Sequence, residues 1–442
     1  MTRNYLHKKI LIFGMGLTGI SCLNFFLSKG IYPKIMDTDK RPKHIEKIIK
    51  FKNICYHTGS VNYSWILQSN LIIVSPGITP SHPALKFATK KNIEIIGDIE
   101  LFVQETKVPI IAITGSNGKS SVTKIVKEII QKAGFTTYIG GNIGIPALNI
   151  VNKFAHFFIL ELSSFQLERT FSLKAYIATI LNITPDHLNR YSSDIKEYEK
   201  AKQKIYKNSK ICIINVDNPV TINRQAQLTK CISFGVHSGD YHLSHTYTNT
   251  WLCYKSLKLI NTKKLKLSGR HNYINMLSAL AIVHELKISF KISVRILKNF
   301  LGLPHRCQKV YKNNNITWIN DSKSTNIAST KSAIQSINTK GKIRLILGGD
   351  KKSSNLNLLK PILKNNAIVI YCYGKDKKEL FNLYPHKSKI FETLQEVMQH
   401  ISVQVQPGDV VLLSPACSSL DQFSGFEERG NTFVKLIQEL IH

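Results

Sequence analysis

The stretch IAITGSNGKSS, residues 111–121, decides the fold class of this chain. An apolar run leads into a loop with Gly115 and Gly118, and an amphipathic pattern follows, which is the strand–loop–helix order of a phosphate-binding loop. Backbone N–H groups at the start of such a helix can surround phosphate oxygens. Lys119 can reach the β- and γ-phosphates, and the Ser120 hydroxyl can bind Mg²⁺. The sequence therefore predicts a nucleoside triphosphate site on an α/β sheet.

This loop departs from the usual pattern at one position. The usual motif has a glycine five residues before Gly118, where this chain has Ile113, so Gly115 supplies the flexibility instead. A polar turn that binds nothing is the alternative interpretation. The apolar run before the loop and the helical pattern after it favour the phosphate site, because that context would confirm the motif.

A second glycine loop lies near the start of the chain, in ILIFGMGLTGIS, residues 10–21. Its glycines at 14, 16 and 19 follow an apolar run, and Asp37 ends the next apolar stretch about 20 residues further on, where a dinucleotide-binding fold has its ribose carboxylate. By itself this pattern predicts an NAD enzyme. The phosphate loop at 111–121 raises the question of why one chain needs two such loops.

The rest of the chain alternates short apolar runs with amphipathic helical patterns, which favours α/β units with largely parallel sheets. We predict a Rossmann-like N-terminal domain over residues 1–97, a P-loop-type central ATPase domain over 98–302 and a Rossmann-like C-terminal domain over 303–442. The irregular region at about 230–268 is expected to form a small sheet.

Composition excludes several classes of protein. No apolar run approaches the roughly 18 residues of a membrane helix. The eight cysteines form no C-x-x-C pair, so the sequence suggests neither a zinc site nor a disulfide framework. The net charge of +32 comes from lysines spread over nearly the whole chain instead of one basic arm, which favours solvated surfaces over nucleic-acid binding. We therefore expect a cytoplasmic protein that does not bind nucleic acid and does not insert into a membrane, and we expect a monomer.

Polar residues follow several other predicted strands, at the edge where open α/β sheets bind ligands. They include Glu161 and Ser163, and later Asp186 and His187. A carboxylate or imidazole at this edge can bind a metal ion, although turns and surface positions use the same residue types. Lysines 200, 202 and 204 lie on a predicted helix, where periodicity alone indicates a solvated face.

Taken together, these motifs resemble the Mur ligase family. The resemblance rests on TGSNGKSS, GGNIG, ELSSFQLE, LNITPDHLNRY, EYEKAKQKIYKNS, GRHNYIN, GLPHR, NDSKSTN, LGGDKKS and SPACSSLDQF, which occur in this order over nearly the whole chain. NDSKSTN together with SPACSSLDQF points to the D-glutamate-adding branch. The resemblance implies that ATP phosphorylates the carboxylate of UDP-N-acetylmuramoyl-L-alanine and that D-glutamate then attacks the acyl phosphate.

The resemblance also implies a function for individual residues. Catalysis would use Lys119, His187, Lys202, Lys323 and Lys352. ATP would contact Gly115, Ser116, Asn117, Gly118, Lys119, Ser120, Ser121, Asn275, Arg306 and Asp321. One or two Mg²⁺ ions would be bound by Ser120, Glu161, His187 and a carbamylated Lys202.

The two remaining substrates would bind outside the ATP site. The resemblance assigns the uridine nucleotide to Leu17, Thr18, Asp37, Thr38 and Gly77, and the muramoyl part to Asn142 and Ser163. It assigns D-glutamate to Thr325, Lys352, Ser419, Leu420 and Phe426.

Three alternatives stay open on the sequence. An NAD-dependent dehydrogenase explains residues 10–37 and nothing after them. A nucleic-acid-dependent ATPase explains the charge and the phosphate loop, but no basic groove with interleaved aromatic residues is evident. A different amino-acid specificity within the same family is the nearest alternative.

Overall fold

The computed structural model describes residues 4–187, 190–191, 194–222, 229–352 and 354–441. Parts of the predicted domains and motifs lie outside these ranges. They are residues 1–3 and 442 at the predicted domain ends, residues 188–189 of LNITPDHLNRY and residue 353 of LGGDKKS. The chain divides into two compact units: the first comprises Met1–Ile183, Asp194–Lys264 and Ile274–Leu297, and the second comprises Thr184–Ser193, Leu265–Tyr273 and Lys298–His442. Among the described helices, none combines the length and the apolar character that crossing a membrane requires.

The first sheet is a five-stranded parallel sheet in the order β3-β2-β1-β4-β5. Its strands are β1 Ile10–Phe13, β2 Lys34–Asp37, β3 Tyr56–Thr58, β4 Leu71–Val74 and β5 Glu94–Ile96. Its helices are α1 Leu17–Leu27, α2 Ile45–Ile49, α3 Tyr63–Gln68 and α4 Pro83–Lys90. The strand order reverses beside β1, so the first glycine loop lies at the switch point where such sheets bind ligands.

The second sheet also belongs to the first unit and has nine described strands in the order β14-β13-β12-β11-β10-β9-β6-β8-β7. They are β6 Ile110–Thr114, β7 Thr137–Gly141, β8 Phe157–Glu161, β9 Ile177–Ile180, β10 Ile211–Asn215, β11 Lys230–Phe234, β12 Tyr241–His245, β13 Thr250–Tyr254 and β14 Leu257–Asn261. The strands expected at about 230–268 are present, but they do not form a small sheet of their own. These strands pair parallel to β10 through β11 and extend the central sheet, and only β13 and β14 run antiparallel to their neighbours.

The described helices of this part of the chain are α5 Asp98–Glu105, α6 Lys119–Lys132, α7 Ser164–Glu168, α8 Ile195–Gln203, α9 Arg270–His284 and α10 Phe290–Asn299. Short 3₁₀ helices cover Ala147–Ile150, Lys204–Tyr206, Pro219–Thr221 and Thr262–Lys264. Strands β6, β8 and β9 are apolar and buried almost throughout, as expected for parallel strands covered on both faces.

The second unit contains a six-stranded sheet in the order β15-β16-β20-β17-β18-β19, parallel except for β15. Its strands are β15 Gln308–Asn313, β16 Ile316–Asn320, β17 Ile343–Gly348, β18 Ile368–Tyr373, β19 Ser388–Ile390 and β20 Val410–Ala416. Its helices are α11 Ile327–Ser336, α12 Lys360–Leu363, α13 Lys377–Phe381, α14 Leu394–Ser402 and α15 Phe426–Ile441, with 3₁₀ helices at Leu356–Leu359 and Pro385–Lys387. Apolar clusters cover both faces of this sheet. The predicted α/β class with three mainly parallel sheets is confirmed.

Candidate nucleotide and amino-acid sites

The predicted phosphate loop joins β6 to α6 and has the geometry that its glycines allow. Gly118 has a φ of +85°, and a Cβ at this position would lie 2.4 Å from Oδ1 of Asn275. The Lys119 ammonium folds back over the loop and donates to the carbonyls of Gly115 (2.7 Å) and Ser116 (3.0 Å). The backbone conformation and this close approach favour glycine at 118. Asn275 lies against the loop, and its contact with ATP stays a prediction.

Asn182, which sequence reasoning did not single out, holds the phosphate loop in place. Ser116 N donates to the Asn182 carbonyl (2.8 Å), and Asn117 N donates to its side-chain oxygen (2.9 Å). The Asn182 amide in turn donates to the Asn117 carbonyl (3.0 Å). These three hydrogen bonds fix the loop backbone, which reduces the reorganisation needed when a nucleotide binds.

Lys202 lies beneath the phosphate loop and is only 1% exposed, whereas its neighbours Lys200 and Lys204 are exposed. Its Nζ donates to the Gly115 carbonyl at 3.0 Å and lies 4.7 Å from the centre of the Tyr198 ring. The solvated-face interpretation is therefore wrong for Lys202. Helical periodicity could not reveal this, because the space around Lys202 is formed by β6 and its loop.

Glu161, at the end of β8, carries a buried oxygen that lacks a protein partner. The side chain is 2% exposed; Oε1 accepts from the Asn142 amide (3.1 Å), and Oε2 has no hydrogen-bond partner among the described residues. Glu161 pairs in register with Ile113 of β6, two residues before Gly115. An uncompensated buried carboxylate oxygen is costly, and a bound cation would remove that cost, so the site fits Mg²⁺.

The first glycine loop has a carboxylate on its backbone. Met15 N donates to Oδ2 of Asp37 (2.7 Å), and Gly14 has a φ of +109°. A Cβ on Gly19 would lie 1.9 Å from the Gly14 carbonyl oxygen, so α1 packs directly against the loop. Asp37 is thus fixed at the loop where the sequence predicts it.

The other residues predicted to bind the nucleotide substrate belong to the same unit and are at least partly accessible to solvent. Leu17, Thr38 and Gly77 are exposed, and Thr18 is half-buried. Ser163 is half-buried and caps α7, because its hydroxyl accepts from Gln166 N at 3.2 Å.

In the second unit, the predicted residues His187 and Asp186 lie beside the NDSKSTN loop. The His187 backbone is left-handed, with a φ of +54°, and its side chain is exposed. The Asp186 carboxylate is 3.7 Å from Nε2 of His187 and accepts a hydrogen bond from the Asn326 amide at 3.2 Å. Asn326 therefore connects two motifs that are 140 residues apart.

Asp321 is turned inward. Its Oδ2 accepts from the hydroxyls of Ser324 (2.5 Å) and Ser414 (2.7 Å), and its Oδ1 accepts from Cys307 N (3.0 Å). Burial raises the pKa of this carboxyl. The structure gives Asp321 the function of fixing the loop that carries the half-buried Arg306, and direct contact of Asp321 with ATP stays a prediction.

The motif loops at the carboxyl ends of β16, β17 and β20 meet. Lys323 Nζ lies 3.5 Å from the centre of the Phe426 ring. Asp350 and Ser418 exchange backbone hydrogen bonds of 3.0 and 2.8 Å, which joins LGGDKKS to SPACSSLDQF. Lys352 sits two residues beyond Asp350 with a φ of +53°. Among the other residues predicted to bind D-glutamate, Ser419 is buried, and Thr325 and Leu420 are exposed.

Arg429, which sequence reasoning missed, ties these three loops together. Its guanidinium is fully buried and donates to the hydroxyl (3.0 Å) and carbonyl (2.8 Å) of Ser322, the Cys417 carbonyl (3.2 Å) and the Gly348 carbonyl (3.3 Å). A signal was present in the sequence, because Arg429 is four residues before Phe433 on the buried face of α15.

Three family models match the chain in order. They are described as the Mur ligase MurD-like N-terminal domain (residues 8–97), the Mur ligase middle domain (113–283) and the Mur ligase glutamate ligase domain (305–417). Together they cover well over half of the chain.

Full-length relatives agree with these models. The chain is 51% identical over 441 residues to a UDP-N-acetylmuramoylalanine–D-glutamate ligase of Buchnera aphidicola subsp. Schizaphis graminum, with 100% of both chains covered. It is 46% identical over 437 residues to the Escherichia coli K12 ligase of the same name, with 99% of both covered. A MurF ligase from Thermotoga maritima, solved in complex with ADP, has the same fold, with a TM-score of 0.63 at 15% identity over 99% of this chain and 97% of that one.

Proposed function

Because the chain belongs to the Mur ligase family, we propose that it joins D-glutamate to UDP-N-acetylmuramoyl-L-alanine with ATP, releasing ADP and phosphate. The observation that carries the proposal is the identity of 51% and 46%, over the full length, to two ligases named for this reaction. The reaction is a step of peptidoglycan precursor synthesis. We place it in the cytoplasm and expect the enzyme to act as a monomer on small-molecule substrates.

The chemistry explains why ATP is consumed. A carboxylate and an amine do not condense unaided at neutral pH. Transfer of the γ-phosphoryl group to the L-alanyl carboxylate makes an acyl phosphate and releases ADP. The D-glutamate amine then attacks the acyl carbon, and the tetrahedral intermediate expels phosphate. Such a reaction depends mainly on positioning and charge neutralisation by the protein.

The phosphate loop would supply both positioning and charge neutralisation. Its fixed N–H groups would donate to the phosphate oxygens at the start of α6, and Lys119 would exchange the carbonyls of Gly115 and Ser116 for phosphate oxygens. We assign the adenosine contacts to Asn275, Arg306 and Asp321. Lys323 and Lys352 of the second unit would balance the charge that develops on the transferred group.

Mg²⁺ would be held by Ser120, Glu161, His187 and the carbamate of Lys202. The Oε2 of Glu161, which has no hydrogen-bond partner within the described ranges, supports this assignment, and buried Ser120 lies at the start of the same helix as Lys119. When bound, the ion would neutralise phosphate charge. Carbamylation replaces a buried cation at Lys202 with a carboxylate, which suits a metal site. We expect activity to depend on dissolved CO₂, and to return when bicarbonate is added to enzyme kept in CO₂-free buffer.

The first glycine loop then binds the UDP part of the carrier. UDP is a nucleoside diphosphate, so the loop suits it without any nicotinamide. We propose domain limits of 1–97 for this substrate, 98–302 for ATP and 303–442 for D-glutamate.

The test uses purified enzyme, ATP, Mg²⁺, UDP-N-acetylmuramoyl-L-alanine and a panel of amino acids that includes L-glutamate, L-alanine, meso-diaminopimelate and D-alanyl-D-alanine. Phosphate release should require both the nucleotide sugar and D-glutamate. Release with another member of the panel would show a different specificity. Release stimulated by DNA or RNA and indifferent to D-glutamate would contradict the proposal.

A further inference from the structure

A buried carboxylate lies close to the predicted sugar-binding residues but outside the machinery described above. Asp98 is the first residue of α5 and is 2% exposed. Its Oδ2 accepts from the Gln166 amide at 3.4 Å, and its Oδ1 has no hydrogen-bond partner in the described part of the chain. Burial raises the pKa of Asp98 to about 6. An ionised form of this group therefore costs folding stability.

Glu100, two residues later on the same helix, shows what a purely structural buried carboxylate looks like. Its Oε2 accepts from Phe171 N (2.6 Å) and Ser172 N (2.9 Å). Its Oε1 accepts from the Ser172 hydroxyl (2.6 Å) and the Gln104 amide (2.7 Å). Glu100 is fully paired and Asp98 is not, although both are equally buried. The N-terminus of α5 favours a carboxylate at Asp98, but one oxygen of this buried group still has no hydrogen-bond partner among the described residues.

Gln166 connects Asp98 to Ser163. The Gln166 side-chain oxygen accepts from Ser163 N (3.1 Å) and from the Ser163 hydroxyl (3.3 Å), while Gln166 N donates to that hydroxyl (3.2 Å). An ionised carboxylate can only accept hydrogen bonds, so Asp98 requires the NH₂ end of the Gln166 amide. The oxygen end of the amide faces Ser163, whose backbone N–H also requires an acceptor.

We propose that Asp98 is a positioning residue that acts through Gln166 to orient the Ser163 hydroxyl toward the sugar–peptide part of the nucleotide substrate. The inference rests on the proposed function, which assigns Ser163 to that substrate. Protonated Asp98 accepts the hydrogen bond from the Gln166 amide more weakly than the carboxylate does, so the support that Gln166 gives to Ser163 weakens at low pH.

Few other titratable groups face Asp98. The Cys22 thiol of α1 does, and its pKa is raised well above the ordinary value by burial and by the Asp98 charge, so it stays neutral. On α7, Gln166 carries no charge. The backbone carbonyl of Arg169, which follows α7, accepts a hydrogen bond from Gly97 N. On α5 itself, Glu100 is directed to the segment at Phe171 and Ser172.

The experiment measures steady-state kinetics of wild type and Asp98→Asn from pH 5.5 to 8.5, with Glu100→Gln as the matched control. Asparagine is isosteric with protonated aspartic acid. At pH 8, Asp98→Asn should raise the KM for UDP-N-acetylmuramoyl-L-alanine roughly 10-fold, the effect of a lost charged hydrogen bond, with kcat and the KM for D-glutamate within about twofold. In wild type the same KM should rise as pH falls through about 6, and in Asp98→Asn it should not change with pH.

Stability gives a second readout. The folded pKa of Asp98 lies above its ordinary value, so its ionisation opposes folding, and this cost is complete above pH 6. Asp98→Asn should therefore melt no lower than wild type at pH 8. Glu100→Gln should melt lower and keep the wild-type pH dependence of KM. Ser163→Ala should also remove that pH dependence, because the effect acts through Ser163.

The outcomes separate the two proposals. A wild type that releases no phosphate with these substrates overturns the proposed function and this inference with it. An active wild type whose KM does not change around pH 6, or an Asp98→Asn enzyme with wild-type KM at pH 8, overturns the inference alone. Equal increases in all three KM values would show a general structural effect and would also overturn it.

Discussion

The two glycine loops of the first unit share a backbone plan and differ in charge. In each, a buried parallel strand runs into glycines and then into a helix. At the first loop, the Asp37 carboxylate accepts from Met15 N. At the second, the Lys119 ammonium covers the carbonyls of Gly115 and Ser116. The shared geometry suits a phosphate, and we propose that the neighbouring side chain decides whether the loop binds the carrier nucleotide or the ATP that reacts.

Lys119→Ala tests this division of labour with the largest expected effect. The kcat should fall roughly 10³-fold, because a charge that stabilises the transferred phosphoryl group is lost. Binding of the nucleotide sugar, measured by calorimetry without ATP, should stay within about twofold of wild type. Equal loss of both would show that the loops do not act separately.

Gly19→Ala tests the packing of the first loop. A Cβ there would lie 1.9 Å from the Gly14 carbonyl oxygen, so we expect the free energy of unfolding to fall by about 3 kcal/mol. Gly16→Ala is the control, because its Cβ would meet no described atom within 4 Å and its φ is negative. Urea denaturation measures both. Similar values for the two variants would contradict the geometry of the loop.

Asp37→Asn removes the charge that distinguishes the first loop. The KM for the nucleotide sugar should rise about 20-fold, and the KM for ATP should not change, since we propose that ATP binds the other loop. Asp39→Asn is the control, because Asp39 is exposed and accepts from Arg41 N two residues away. A rise in the KM for ATP would break the comparison.

Arg429→Lys extends the comparison to the predicted D-glutamate site. The loops of that site are held together by the Arg429 guanidinium, whereas the two other loops depend on glycines. Lysine keeps the charge but loses the forked geometry that reaches Ser322, Cys417 and Gly348, so we expect the KM for D-glutamate to rise about fivefold. Arg344→Lys is the control: Arg344 is also buried, but it pairs with Asp409 near the start of β17. It should lower the melting temperature and leave that KM unchanged.

Local sequence predicted the parts of the site that are contiguous in the chain. The loop at 115–121 and the strand ends at Glu161 and Asp321 follow from strand–turn–helix order, because their geometry is set within a few residues. The extent of the central sheet did not follow from local pattern. The sequence predicts a small sheet at about 230–268, and a short stretch of sequence does not show that β11 pairs with β10 and joins these strands to the central sheet.

Long-range contacts account for what the sequence missed. Asn182 binds a loop 65 residues earlier, and Arg429 binds Ser322 from 107 residues away. The burial of Lys202 depends on β6, whereas its own helix predicts exposure. Such positions look like ordinary surface residues until the fold supplies their partners.

One measurement tests most directly whether ATP held by the second loop activates the far end of the carrier held by the first. UDP-N-acetylmuramoyl-L-alanine labelled with ¹⁸O in its terminal carboxylate is converted with D-glutamate and ATP, and the released phosphate is examined by mass spectrometry. The account predicts one ¹⁸O atom in each phosphate, transferred through the acyl phosphate. Unlabelled phosphate would contradict it.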